Sequence, residues 1–215
     1  MDIIKNFTKV LNEIKKCTDT NVKIIAVSKT YDLNYIKPLI NFGHLHYGEN
    51  RVNEAILKWS DEIKKNSNLK IHLIGKLQSN KIKEAFKVFS YIHSLDSKKL
   101  AILLDEEQNK QKINIKYFIQ VNIGNENQKA GITLDDLDDF IIFCKLKTKL
   151  NIIGLMCIPP IKDSPDIHFK RLSELAKKNN LSELSMGMSN DYISGIKNGS
   201  TFVRIGSAIF GERFN

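Results

Sequence analysis

Short apolar runs alternate with amphipathic segments along this chain, and no other feature restricts its fold as strongly. The apolar runs predict eight strands, at residues 24–27, 44–47, 69–74, 90–93, 115–123, 152–158, 184–186 and 201–205. The intervening segments predict helices, at about residues 32–41, 50–65, 79–89, 134–147, 165–179 and 190–198, with another ending near residue 110 and a short one opening at residue 206. This alternation is typical of parallel βαβ units, so the sequence predicts an α/β protein.

Eight such units predict a closed (β/α)8 barrel of the TIM type, with a doubly wound open sheet as the alternative. The 215 residues lie near the lower end of the size range of such barrels. Apolar residues at helical spacing over residues 2–17 predict an additional N-terminal helix. Because the chain shows no linker, repeat or low-complexity tract, residues 1–215 are predicted to form a single domain.

Composition and charge exclude several classes of protein. The formal charge is +9, but the lysines are spread along the chain without an aromatic-interleaved basic tract, which argues against a nucleic-acid partner. No apolar run approaches the ~18 residues of a membrane span, and no signal core follows the N-terminus. The three cysteines are odd in number and lack metal or redox spacing, which indicates free thiols in a reducing compartment. We therefore expect a cytoplasmic protein.

Lys29 is the first candidate for chemistry. It follows the buried strand at residues 24–27 and shares a face with Val27 and Ile25, so it is predicted to end at the carboxyl mouth of the barrel. Desolvation lowers the pKa of a lysine, and a neutral amine can form a Schiff base with a carbonyl. The alternative is a lysine that merely ends a strand and extends into water. With 33 basic residues in the chain, position alone favours that alternative.

A second candidate site lies in the C-terminal quarter. Ser189 follows the seventh predicted strand at a predicted helix start, and Gly206 and Ser207 follow the eighth. Barrels often bind phosphate with the loops after these two strands, where N–H groups at helix starts and serine hydroxyls act as donors. The alternative is a pair of ordinary serine caps and one turn glycine.

Arg204 is predicted to point into the same mouth, because it shares a strand face with Phe202 and Gly206. A buried guanidinium needs a partner. A ligand acceptor and a structural carboxylate such as Glu49 are equally compatible with the sequence.

Two rival sites are weaker. His44 and His46 share a face of a predicted strand, and His72 and His93 lie on later strands, but no further ligand cluster accompanies them, so no metal site is predicted. The segment at residues 75–81 lacks the spacing of a nucleotide-binding P-loop.

Motifs along most of the chain resemble those of the pyridoxal phosphate homeostasis protein family, also called proline synthetase co-transcribed homologues. The motifs are Val27-Ser28-Lys29-Thr30, Gly48-Glu49-Asn50, Ile74-Gly75-x-Leu77-Gln78-x-Asn80-Lys81, Gln120-Val121-Asn122, Gly154-Leu155-Met156, Ser185-Met186-Gly187-Met188-Ser189 and Gly199-Ser200-Thr201-x-Val203-Arg204-Ile205-Gly206-x-x-Ile209-Phe210-Gly211. The resemblance implies a single barrel like the N-terminal domain of alanine racemase.

The resemblance also implies site residues for pyridoxal 5'-phosphate. Lys29 would carry the cofactor as a Schiff base, and Arg204 would face the pyridine nitrogen. Asn50 and Met156 would line the pocket. The phosphate would be held by Ser189, Gly206 and Ser207.

For function, the resemblance favours a carrier or buffer of the cofactor with little or no catalysis of its own. Arginine only donates, so it leaves the pyridine nitrogen unprotonated and the ring a poor electron sink. The chain is expected to lack the second domain with which the racemase brings another acid or base over the cofactor. Apoenzymes that use pyridoxal phosphate are the expected recipients, and a monomer is expected. Two alternatives remain: an amino-acid racemase or lyase that uses the cofactor, and a Schiff-base aldolase without it.

Overall fold

The computed structural model describes residues 2–126 and 128–211, and its strands close into a parallel barrel in chain order. The strands are β1 (Lys23–Val27), β2 (His46–Glu49), β3 (Lys70–Leu73), β4 (Phe89–Leu95), β5 (Lys116–Val121), β6 (Asn151–Cys157), β7 (Glu183–Met188) and β8 (Phe202–Ile205). The helices are α1 (Ile3–Cys17), α2 (Leu33–Asn41), α3 (Val52–Lys65), α4 (Ile82–Ala85), α5 (Lys98–Gln111), α6 (Leu137–Lys147), α7 (Pro165–Lys178), α8 (Tyr192–Lys197) and α9 (Ser207–Phe210). Because β8 pairs with β1, the predicted barrel is confirmed and the open-sheet alternative is wrong.

The strands bury side chains on both of their faces, which explains their nearly continuous apolar runs. Inward-facing residues form a small cluster inside the barrel, made of Ile25, Tyr91, Phe118, Met156 and Phe202. Outward-facing residues such as Ile24 and Ala26 pack in a larger cluster with the surrounding helices. Side-chain alternation along β1 therefore divides the core into an inner and an outer layer.

The predicted N-terminal helix is confirmed as α1. Asp2 caps it by accepting a hydrogen bond from the Lys5 backbone N–H at 3.0 Å. Its apolar face is buried, and it packs beside α2, α8 and α9. The side chain of Asn6 donates to the Ile209 carbonyl at 3.0 Å, so α1 supports the short helix that follows the last strand.

The helix predicted at residues 79–89 is wrong in extent. The segment contains a 3-10 turn at Ser79–Lys81 and the single-turn α4, and Ser79 makes no helix cap. The next strand already begins at Phe89, so the chain leaves the helical conformation after one turn.

The second strand begins two residues later than predicted. Gly43 has a φ of 95°, which turns the chain out of α2 in a conformation that suits glycine. His44 therefore lies in the connection before β2, where its Nε2 bonds the His46 carbonyl at 2.8 Å. His44 and His46 do not share a strand face, contrary to the prediction.

Helices long and apolar enough to span a bilayer are absent from the described residues.

Candidate functional site

A pocket of about 790 Å³ opens at the carboxyl ends of the strands, chiefly β1, β6, β7 and β8. Its size lies within the usual range of small-molecule sites. Six of the predicted site residues line it: Lys29, Asn50, Ser189, Arg204, Gly206 and Ser207. The structure thus brings together residues that are up to about 180 positions apart in the chain because parallel strands place their carboxyl ends at one face of the barrel.

Met156 is the seventh predicted site residue, and it lies in the interior of the barrel. It is 1% exposed and packs in the inner cluster with Phe118 and Phe202. Among the described residues, the lining of the pocket does not include it. Its contact with a ligand stays a prediction, and in the structure it is a core residue of the barrel.

The backbone is strained immediately after Lys29. Thr30 has a φ of 74°, which is unfavourable for a β-branched residue. Strain of this kind persists only where surrounding contacts impose it, and it is common at functional sites. Here it marks the abrupt end of β1, beyond which Lys29 and Tyr31 both line the pocket.

A buried polar network anchors this strand end. Glu49, at the end of β2, is fully buried, and its Oε1 accepts from Ser28 Oγ at 2.7 Å and from Trp59 Nε1 at 2.9 Å. Lys58 forms an ion pair with the same oxygen at 2.9 Å and donates to the Ser28 carbonyl at 2.8 Å. The residue before Lys29 is therefore fixed to β2 and α3 by charge-assisted hydrogen bonds.

Sequence reasoning missed the anchoring role of Lys58 and Trp59. They lie on α3, about thirty residues after Ser28, and their helical positions carry no local sign of a bond to β1. The proposed partnership of Glu49 with Arg204 is also wrong, since Glu49 is engaged by Ser28, Lys58 and Trp59.

Arg204 lies at the pocket and is 4% exposed. Its Nη1 donates to the Ser185 carbonyl at 2.6 Å and to Ser185 Oγ at 2.8 Å, and its Nη2 donates to the Cys157 carbonyl at 2.8 Å. Burial lowers the pKa of Arg204 from its ordinary value, but an arginine stays protonated in proteins. Within the described part of the chain, this buried cation forms no ion pair with a carboxylate.

Ser189 lies beyond β7, as predicted. The prediction that it starts the next helix is wrong. That helix, α8, begins at Tyr192 after Asp191. The Ser189 hydroxyl instead accepts from the backbone N–H groups of Gly206 and Ala208, at 3.3 and 3.4 Å. It therefore lies at the start of α9, beside Ser207, and joins the two loops that the sequence predicted to act together.

Glycine is required where β7 turns towards this site. Gly187 has a φ of 91°, and a Cβ at this position would lie 2.9 Å from the Tyr192 Cα. Any other residue would be strained and would displace α8.

Across the described residues, no group of three or more His, Cys, Asp or Glu side chains is arranged to bind a metal ion.

The chain is similar to known proteins in sequence and in fold. The family model described as "Alanine racemase, N-terminal domain" matches residues 4–214. The chain is 35% identical over 228 residues to the pyridoxal phosphate homeostasis protein of Aquifex aeolicus, with 99% of each chain covered. It is 32% identical over 235 residues to the protein of the same name from Escherichia coli, covering 99% of this chain and 97% of the other.

Solved structures of PipY from Synechococcus elongatus are also similar. The form without PLP superposes with a TM-score of 0.88 at 33% identity, covering 98% of this chain and 100% of PipY. The form with PLP bound gives a TM-score of 0.85 at 32% identity with the same coverage.

Proposed function

The chain belongs to the pyridoxal phosphate homeostasis protein family, and we propose that it binds pyridoxal 5'-phosphate in the pocket that contains Lys29 and Arg204. The resemblance recognised in the sequence motifs is thus confirmed at the level of the family. The assignment of individual residues to the cofactor is a proposal that rests on the geometry of the pocket.

The observation that carries this proposal is the buried Arg204, which shares a pocket with Lys29. A desolvated cation without a carboxylate partner is costly, and an electron-rich ligand offsets that cost. Three N–H groups of the guanidinium are used by carbonyl and hydroxyl oxygens of β6 and β7. The other two of its five donors make no hydrogen bond among the described residues, which fits a ligand that presents acceptors.

Pyridoxal phosphate has the groups that this pocket can bind. Its aldehyde can condense with the Lys29 amine, which forms a C=N bond and releases water. Its phosphate oxygens can accept from the Ser189 and Ser207 hydroxyls and from backbone N–H groups beside Gly206. Its pyridine nitrogen can accept from Arg204, and Asn50 lines the pocket beyond β2.

Replacing both serines tests the phosphate cradle. Each hydroxyl would lose a hydrogen bond to a charged group, worth roughly 1.5–3 kcal/mol. We therefore expect Ser189→Ala and Ser207→Ala each to weaken cofactor binding about ten- to a hundredfold, as measured by titration of the visible absorbance. Ser194→Ala, on the exposed side of α8, is the control. Unchanged affinity in the Ser189→Ala/Ser207→Ala double variant would remove the cradle from the proposal.

We propose further that the protein carries or buffers the cofactor and does not itself turn over amino acids. Arg204 would leave the ring nitrogen unprotonated because a guanidinium has no proton acceptor and does not lend its proton readily. The ring would then withdraw electrons weakly, and proton removal from a bound amino acid would be slow. An amino-acid racemase or lyase is the alternative activity for the same pocket.

Exchange of the α-proton into heavy water separates these functions. With a panel of amino acids, we expect stoichiometric cofactor binding and exchange far slower than the ~1 per second of ordinary enzymes. An alanine racemase assayed in parallel shows that the method detects turnover. Exchange at about 1 per second or faster would identify an enzyme instead of a carrier.

We also propose a cytoplasmic location, a monomeric state and transfer of the cofactor to apoenzymes that use it. The free thiols of Cys17, Cys144 and Cys157 support a reducing compartment.

A further inference from the structure

Hydrogen bonds join three histidines inside the barrel to Arg204. Nδ1 of His46 lies 2.9 Å from Nε2 of His72, and Nδ1 of His72 lies 2.9 Å from Nε2 of His93. Nδ1 of His93 lies 2.9 Å from Oγ of Ser185, which accepts from Nη1 of Arg204 at 2.8 Å. We call His46, His72, His93 and Ser185 the histidine relay. It runs from the first residue of β2, at the amino end of the barrel, to Arg204, which lines the pocket at the carboxyl end.

The chemistry of Arg204 assigns a donor and an acceptor to each of these hydrogen bonds. Arg204 can only donate, so Ser185 Oγ must accept from it. The serine proton then has an acceptor if it points to Nδ1 of His93. A neutral imidazole with a bare Nδ1 carries its proton on Nε2, so His93 donates to His72. The same reasoning makes His72 donate to His46, and every bond in the relay is satisfied.

The surroundings of the relay favour neutral, immobile rings. His72 and His93 are fully buried, and burial lowers the pKa of both well below the ordinary value. His72 stacks on Tyr91 with ring centroids 4.2 Å apart, and His93 stacks on Phe118 at 4.3 Å. A ring flip would need to displace a packed aromatic neighbour.

His46, the outer member of the relay, lies nearer to solvent than the other two histidines. His46 is partly exposed, and Lys23, Lys70 and Lys116 surround it at the amino end of the barrel. Burial, followed by the charges of these lysines, lowers the pKa of His46 to about 4. Burial, together with the lysines at one end and Arg204 at the other, therefore disfavours a positive charge on His46 and on His93.

We propose that the histidine relay is the positioning device of Arg204: it holds the Ser185 hydroxyl as an acceptor for Nη1 and so aims the remaining guanidinium donors into the pocket. Its members are positioning residues, since they act on the ligand only through Arg204. The proposal deepens the proposed function and rests on it for the identity of the ligand.

Two buried serines provide a matched comparison. Ser185→Ala breaks the relay, whereas Ser94→Ala on β4 removes a hydroxyl that is equally buried and has no hydrogen-bond partner in the described structure. We expect Ser185→Ala to raise the dissociation constant for pyridoxal phosphate about tenfold, and Ser94→Ala to leave it at the wild-type value. Equal effects of the two substitutions would overturn the proposal.

Variants of His93 distinguish positioning from packing. His93→Asn keeps an acceptor near the place of Nδ1, whereas His93→Leu keeps bulk but no acceptor. We expect His93→Leu to bind the cofactor about as weakly as Ser185→Ala, and His93→Asn to recover most of the affinity. Equal binding by the two His93 variants would contradict the relay.

Nitrogen NMR on the cofactor-free protein provides a readout that does not depend on the ligand. We expect protonated Nε2 and bare Nδ1 in His46, His72 and His93, and slow rotation of the Arg204 guanidinium. Rotation should become faster in Ser185→Ala and His93→Leu, but not in Ser94→Ala. A proton on Nδ1 of His93 would overturn the proposal. If the NMR pattern is found but the wild type does not bind pyridoxal phosphate, the proposed function fails while the relay stands.

Discussion

Lys29→Ala protein should be colourless with pyridoxal phosphate and should give no adduct after borohydride reduction. A Schiff base absorbs visible light and becomes a stable secondary amine on reduction, so both signals depend on a lysine amine next to the aldehyde. Lys29 lies two residues after the end of β1, and the bonds of Ser28 to Glu49 and Lys58 fix its position. Mass spectrometry of the peptides from reduced wild-type protein should show the cofactor on Lys29.

Other lysines near the pocket provide the controls. Lys129 also lines the pocket and donates to the Pro159 carbonyl at 3.2 Å, so Lys129→Ala should keep both the colour and the adduct. Lys76 and Lys81 line a neighbouring cleft beside Asn50. A full adduct on Lys76 or Lys81 would refute the assignment of Lys29. Removal of the amine leaves the serines and Arg204 in place. Weak, colourless binding of the cofactor by Lys29→Ala would therefore be compatible with the assignment of Lys29.

The sequence was sufficient for the barrel because the information that specifies each strand and helix is local. Apolar runs such as residues 24–27 mark strands that are buried on both faces, and eight of them in alternation leave few other architectures. Boundaries were less certain where a turn overrides the pattern. The second strand begins later than predicted because Gly43 redirects the chain. The helix predicted at residues 79–89 is shorter in the structure because β4 begins at Phe89.

The residues of the candidate site that follow directly after strands could be predicted from the sequence. Lys29, Ser189, Gly206 and Ser207 all follow strands, and parallel strands in a barrel share one carboxyl end. For Met156, alternation gives the inward face of β6 but not the depth at which the side chain lies within the barrel.

Partners that are distant in sequence could not be predicted. Glu49 had several possible cations, and only the fold shows that Lys58 is the one it meets. The histidines on β2, β3 and β4 were visible as residues on successive strands, yet their mutual hydrogen bonds depend on the stagger of the barrel. A sequence pattern specifies faces of strands, whereas these networks depend on register between strands.

Arg204→Gln should weaken binding of pyridoxal phosphate by about thirtyfold or more, since truncation of one partner of a buried charged hydrogen bond costs roughly 2–5 kcal/mol. Glutamine keeps an amide that can bond a β6 or β7 carbonyl, but it lacks the charge and the second set of donors. The measurement is absorbance titration of the cofactor, with the unfolding free energy of the cofactor-free protein measured in urea alongside. We expect that free energy to change little, because loss of a desolvated cation offsets the lost bonds to Ser185 and Cys157.

A second cation separates local recognition from net charge. Lys16 is exposed in the last turn of α1, before the amino end of β1, so Lys16→Gln removes one positive charge far from the pocket. We expect its affinity for the cofactor to remain within about twofold of wild type, because exposed charges beyond a Debye length are largely screened. Arg204→Lys restores charge without the planar fork, and it should recover only part of the binding, since a lysine cannot reach both neighbouring carbonyls and the ligand at once. Affinity in Arg204→Gln equal to that in Lys16→Gln would show that the buried guanidinium does not contact the cofactor, and the burial of this cation at the pocket would then need another explanation.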